Sequence, residues 1–191
     1  MIEDASSATR PAARRRLLIV WFSRTGACEQ LAGAAERAAR EAARGDEDAQ
    51  GAPAQASGAV DVRSLRCEAA SPDDLLNADA YLFVAPENLA TLAGAMKEFF
   101  DRCYYPVLGR IEGRPYAQII GAGSDGQGAA RQLARIATGW RLREVAEPTI
   151  VIVHAQTPER ILAPKHLDDA QRAPAADVGA ALASGLALGI F

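Results

Sequence analysis

Five short apolar runs, separated by stretches with helical periodicity, limit the folds open to this chain more than any other feature does. Leu17-Leu18-Ile19-Val20-Trp21-Phe22 is apolar without interruption and opens directly into Ser23-Arg24-Thr25-Gly26, the pattern of a strand buried on both faces followed by a turn. From 27 to 44, Leu31, Ala32, Ala35, Ala38 and Ala39 recur at helical spacing among Glu29, Arg37, Arg40 and Glu41, which predicts an amphipathic helix. Val60, Val62 and Leu65 predict a second strand. Ser71-Pro72-Asp73-Asp74 then reads as a helix start, with serine as N-cap and proline at the first helical position. A third strand over Ala80-Tyr81-Leu82-Phe83-Val84 should end at Ala85-Pro86, with a helix over about 91–104 behind it. A fourth strand over 116–121, a helix near 128–138, a fifth strand over 149–153 and a last helix over about 176–188 complete the pattern. Parallel strands need crossover connections and bury both sides. The alternation therefore predicts an α/β fold, a three-layer, doubly wound, five-stranded parallel sheet.

Composition narrows the functional classes. With 191 residues, 49% of them hydrophobic, one core can form without disulfide or metal staples, so residues 15–191 are expected to make a single domain. Residues 1–14 lack apolar periodicity and read as a flexible tail. Gly45 to Gly58, with no aliphatic side chain larger than Ala, reads as a mobile surface loop. The 21 Lys+Arg stand against 24 Asp+Glu, so no broad positive field is available to neutralise phosphates and no nucleic-acid partner is expected. The apolar run 17–22 is too short for a membrane span or a secretory core. Cys28, Cys67 and Cys103 form no CxxC pair, and His154 and His166 are the only histidines. Disulfide frameworks and transition-metal sites are thus poorly supplied, and a cytoplasmic location without a membrane partner is expected.

In doubly wound sheets, ligands bind beyond the carboxyl ends of the strands, where strand order reverses. The loops at 23–28, 86–91 and 121–127 are therefore the candidates. Ser23-Arg24-Thr25-Gly26-Ala27-Cys28 offers two hydroxyls and the open amides of a helix N-terminus, which suit a terminal phosphate. The helix dipole contributes about 0.3–1 kcal/mol, whereas each hydrogen bond to a charged group contributes about 1.5–3 kcal/mol, so the donors would dominate. An ordinary helix cap uses the same residue types. No Gly-x-x-x-x-Gly-Lys-Ser/Thr segment exists, and a nucleoside-triphosphate P-loop is unsupported. Gly121, Gly123 and Gly126 match a dinucleotide fingerprint. The acidic residue expected about 20 positions on is misplaced, because Glu144 and Glu147 precede the apolar run 150–153.

The strand followed by Ser-x-Thr-Gly resembles the flavin-phosphate loop of flavodoxin-like proteins. Residues 86–97 resemble a signature of NAD(P)H-dependent FMN reductases: Pro-Glu-Tyr-Asn-Gly-Ser, two residues, Gly, two residues, Lys. Pro86, Glu87, Gly94 and Lys97 match it, and Asp101 follows four residues later. Met96, Phe99 and Asp101 are similar to the same stretch of flavodoxin-like quinone reductases. The resemblance covers about residues 17–155.

It implies a flavodoxin-like fold holding FMN, with the phosphate on Ser23, Arg24, Thr25, Gly26, Ala27 and Cys28. The ring would lie against Pro86, Glu87, Asn88, Leu89, Ala90 and Thr91 on one side and Gly123, Ser124, Asp125, Gly126 and Gln127 on the other. No side-chain nucleophile is implied. NADH or NADPH would be the electron donor, a quinone or flavin the kind of acceptor, and a homodimer or homotetramer the assembly. A flavodoxin-type single-electron carrier and a flavin-free binding domain are the alternatives.

Two departures stand out. Cys28 occupies a place where Thr or Ser is frequent, and Asn88 replaces the aromatic residue. Cys28 at a helix N-terminus could be an acidified thiol or a structural one. Asp125 could instead cap the helix that follows it, Glu87 could steer ligand approach, hydrogen-bond near the ring or cap the helix that follows its own loop, and Lys97 with Asp101 should form an exposed i, i+4 pair.

Overall fold

The computed structural model describes residues 14–44 and 60–191. The loop expected over 45–58 and residues 1–13 of the expected tail lie outside the described residues. In chain order the elements are β1 (Arg15–Trp21), α1 (Ala27–Arg44), β2 (Val60–Arg66), α2 (Pro72–Leu76), β3 (Ala80–Asn88), β4 (Thr91–Leu92) and α3 (Gly94–Val107). They continue with β5 (Pro115–Ala122), α4 (Gln127–Gly139), β6 (Arg143–Glu144), β7 (Thr149–Ile152), α5 (Pro158–Leu162) and α6 (Asp169–Ala187).

The five expected strands are β1, β2, β3, β5 and β7. The sheet runs β2-β1-β3-β5, with β6 and β7 paired in turn to the outer side of β5. Every pairing is parallel except the short one between β3 and β4. The chain winds from β1 outward to β2 and then crosses back to β3 on the other side of β1. That reversal opens a crevice at the carboxyl ends of β1 and β3.

Each central strand sends alternate side chains to opposite layers, as the period of two requires. Leu18, Val20, Tyr81, Phe83, Tyr116 and Ile120 share a core with α2, α3 and α4. There Phe83 and Phe100 lie 5.1 Å apart edge to face, and Phe100 and Trp140 likewise. Leu17, Ile19, Leu82, Val84, Ala117 and Ile119 face α1 and α6. A Cβ on Gly179 of α6 would run into the Ala35 backbone of α1, so this glycine lets the two helices touch. Fully burying one such aliphatic or aromatic side chain is worth about 1.5–3 kcal/mol. Two filled layers, not strand pairing alone, therefore hold the sheet.

Four features depart from the expected pattern. β3 does not stop at Ala85-Pro86 but continues to Asn88, turns through Leu89-Ala90 and returns as β4; the hairpin moves the start of α3 to Gly94. The outer strand is broken. β6 pairs Pro115 and Tyr116, β7 pairs Ile119 to Ala122, and residues 145–148, ending in Pro148, separate the two. α6 begins at Asp169, because Asp168 and Gln171 form a reciprocal capping box and Pro174 is accommodated inside the helix. The apolar periodicity predicts no helix at α5; Thr157 caps it, Pro158 opens it, and it buries no residue.

Candidate functional site

The β1–α1 loop is built to expose donors. Ser23 Oγ accepts the Gly26 N–H at 3.0 Å, and Gly26 sits at φ +93°, a backbone conformation that favours glycine. The bend turns the first turn of α1 toward the crevice. Among the described residues no acceptor meets the amides of Thr25, Ala27, Cys28 or Glu29. Such a set of open amides at the start of an 18-residue helix is suited to an anion. Arg24 is exposed at the loop, its guanidinium 5.9 Å from the Phe22 ring centroid.

The second and third loops are fastened to each other by one side chain. The Glu87 carboxylate accepts the amides of Gly126 at 2.8 Å, Gly128 at 3.1 Å and Ala129 at 3.3 Å. It thereby caps α4 across 39 residues of sequence, not the helix that follows its own loop. Asp125 does not cap: Gly126, at φ +85°, is the N-cap and no side chain bonds there from its own segment. Gly128 is glycine because the Ala90 carbonyl occupies the space a Cβ would take. Glu87 and Gly128 together lock the β3–β4 hairpin onto the start of α4. At the hairpin tip Leu89 and Ala90 have φ +51° and +60°, the left-handed pair that a two-residue turn of type I′ demands. Neither residue type favours that region, which costs about 1–2 kcal/mol for each.

The three loops border one cleft of about 550 Å³ at the carboxyl end of the sheet, within the range of small-molecule sites. Ser23, Arg24, Thr25, Ala27 and Cys28 line it from the first loop, Pro86, Glu87, Asn88, Leu89 and Ala90 from the second, and Gly123 and Ser124 from the third. Gly26, Thr91, Asp125, Gly126 and Gln127 do not. Gly26 shapes its own loop, and Thr91 Oγ1 donates to the Asn88 carbonyl within the hairpin.

A further wall comes from residues 153–165, where Val153, Ala155, Ile161 and Lys165 line the cleft; Gly121 and Ala122 also reach it. This wall is tied down by main-chain contacts. The Lys165 N–H donates to the Thr25 carbonyl at 2.7 Å, and the Ala155 N–H to the Gly123 carbonyl at 3.1 Å. Gln30 bridges from α1, donating to the Lys165 carbonyl at 2.6 Å and accepting the Leu167 N–H at 3.0 Å. A Thr-Pro pair at 157–158 was the available local signal for α5.

Cys28 is a structural thiol. It is 1% exposed, and a Cβ on Gly121 would stand only 2.7 Å from its Sγ. Burial pushes the thiol up to about 12, opposed by a hydrogen bond with the Gly121 backbone. Desolvation outweighs the helix N-terminus here and moves the thiol away from the acidified alternative. The Lys97–Asp101 pair forms as expected, at 2.6 Å on an exposed face of α3. A smaller cavity of about 300 Å³, bordered by Arg16, Asp61, Arg63 and Asp74, lies at the amino ends of β1 and β2, away from the three loops.

Residues 69–157 match the family model described as NADPH-dependent FMN reductase. No curated protein sequence matches the chain. Among solved structures, a flavodoxin from the domain Archaea superposes with a TM-score of 0.66 at 14% identity, covering 90% of this chain and 98% of that one. A WrbA-like flavodoxin from Agrobacterium tumefaciens superposes with a TM-score of 0.65 at 15% identity, covering 90% and 97%. Rubredoxin:oxygen oxidoreductase from the anaerobe Desulfovibrio gigas does so at 0.62 and 15%, over 93% of this chain and 38% of that one. The fold is flavodoxin-like.

Proposed function

We propose that this flavodoxin-like chain is an FMN-dependent oxidoreductase that takes electrons from NADH or NADPH and passes them to a small acceptor such as a quinone or a flavin. The observation that carries the reading is the set of open amides at Thr25, Ala27 and Cys28, residues that line a cleft whose other walls include the two loops that the resemblance assigns to a flavin ring. The family match over 69–157 supports it.

The residues present fit the group. A phosphate needs several donors and no neighbouring carboxylate; the loop offers amides, the Ser23 and Thr25 hydroxyls and the exposed Arg24. Glu87, the carboxylate that lines the cleft, has its oxygens engaged by three amides of the α4 start, so its charge is partly offset by donors and by the positive end of that helix. FMN supplies two-electron chemistry with a nicotinamide and onward transfer to an acceptor. The chain's part is to hold the phosphate, to fix the two ring loops against each other through Glu87 and Gly128, and to leave the ring open to an incoming partner.

The test is anaerobic reconstitution with FMN followed by NADPH. The expected result is stoichiometric uptake of the yellow cofactor and bleaching of its visible absorbance on adding the nicotinamide. Uptake without bleaching by either nicotinamide would instead indicate a single-electron carrier, the reading that the flavodoxins among the similar structures favour. Failure to take up FMN leaves a binding domain without flavin. Assembly as a homodimer or homotetramer belongs to the same proposal and is read by sedimentation.

A further inference from the structure

Two large aliphatic side chains stand at the cleft with little to cover them. Leu89, at the hairpin tip, is 99% exposed and Ile161, on α5, is 52% exposed; both line the cleft. Neither position is a loose end. Leu89 is held in a left-handed conformation by a hairpin that is itself fixed at several points. Thr91 Oγ1 bonds to the Asn88 carbonyl at 3.1 Å, the Leu92 N–H donates to Gln132 Oε1 at 2.8 Å, and the Ala90 carbonyl seats on Gly128.

Ile161 sits on a helix that buries none of its residues, yet that helix is anchored by hydrogen bonds. Lys165 Nζ donates to the carbonyls of Arg160 at 2.6 Å, Ile161 at 3.2 Å and Ala163 at 2.5 Å, while the Lys165 main chain is bound to Thr25 and Gln30. The chain thus spends backbone strain and polar contacts to hold apolar side chains in water at the edge of a polar-ended cleft. Such an arrangement is stabilised when something flat and apolar covers those side chains.

We infer that Leu89 and Ile161 form an aliphatic clamp for the isoalloxazine ring, with α5 serving as a wall of the ring site in a chain whose ring loops carry no aromatic side chain. This rests on the proposed FMN site. One cleft is lined both by residues of the open-amide loop, Thr25, Ala27 and Cys28, and by Leu89 and Ile161, a mix of anion donors and apolar cover that fits a planar heteroaromatic ring carrying a phosphate on a linker. The clamp grips by burial and dispersion and not by aromatic stacking.

The test compares Leu89→Ser, Ile161→Ser and Thr25→Ala with the unchanged chain, using FMN and lumiflavin, the ring without its ribityl phosphate. Each serine variant is expected to weaken both ligands about tenfold, or about 1.4 kcal/mol, with an unaltered unfolding temperature. Thr25→Ala should weaken FMN and leave lumiflavin unchanged. Leu89→Trp should bind FMN and quench its emission several-fold relative to the unchanged chain, because an indole placed on the ring is an efficient electron donor to the excited flavin. If both serine variants bind FMN and lumiflavin as the unchanged chain does, the clamp is overturned while the FMN site stands. If the unchanged chain takes up no FMN, the proposed function itself fails and the clamp falls with it.

Discussion

Glu87 shows what one side chain can do when its partners are distant in sequence. Three amides at the start of α4 share its carboxylate, and hydrogen bonds to a charged group are worth about 1.5–3 kcal/mol each when their partners are otherwise buried. Glu87→Ala is therefore expected to lower the unfolding free energy by about 2–3 kcal/mol, and Glu87→Gln by less, since one carbonyl oxygen remains to accept. Urea unfolding of the two variants checks the order, and an alanine variant as stable as the parent would remove the capping role. Amide exchange at Gly126, Gly128 and Ala129 should accelerate in the alanine variant. The sequence singles out Glu87, for the ring or for a cap on the helix after its own loop, but capping rules are local and give no sign of a cap that spans two elements. For Asp125 the cap is one of two readings open from the sequence: it has a capping residue type just before α4, but the amides there are already met by Glu87.

The β3–β4 hairpin is an element that local rules conceal. Its central pair is Leu-Ala where Asn-Gly would announce a type I′ turn, so Asn88-Leu89-Ala90-Thr91 carries no turn signal and the strand was expected to end at Pro86. Ala90→Gly should relieve the left-handed strain at φ +60°, partly offset by the greater freedom of glycine in the unfolded chain, for a net gain of about 0.5–1 kcal/mol. A calorimetric unfolding temperature at or below that of the parent would contradict the strain.

Gly128→Ala tests the other half of the lock. Helix propensity alone favours alanine by about 1 kcal/mol, but the new Cβ meets the Ala90 carbonyl, a backbone atom that cannot swing aside. Net destabilisation is expected, with the hairpin displaced. A stabilised variant would show that the tip is free to move. By contrast, the strands and α1 were legible because continuous apolar runs and helical spacing express burial directly, and Ser71 was legible because its capping box with Asp74 is complete within four residues.

On the scale of the whole molecule, burial ties stability to alkaline pH. Cys28 and Cys67 are pushed up to about 12 and Cys103 to about 11 from 9.0, and Tyr81 to about 12 from 10.0, in each case chiefly by desolvation. Tyr116 moves in the same direction for the same cause. The folded form keeps these protons while the unfolded chain releases them. The associated stability is whole below about pH 9 and is lost as pH rises toward about 12. Urea midpoints should fall between about pH 8 and about pH 10.5; a flat profile would mean that these groups ionise equally in both states. At neutral pH, iodoacetamide should label all three thiols only after unfolding. The doubly wound order and the three converging loops were legible because alternating strands and helices permit few topologies. The wall at 153–165 was not, since its hold on the cleft is made of main-chain contacts that leave no mark in residue type.

The break between β6 and β7 bears on how molecules of this protein meet. An uninterrupted outer strand offers a row of amides and carbonyls on which a second polypeptide can zip itself; here Pro148 and the detour at 145–148 divide that row into stretches of two and four residues. Neither stretch is long enough to template growth, and this rim of the sheet resists the sideways accretion by which open sheets build fibrils.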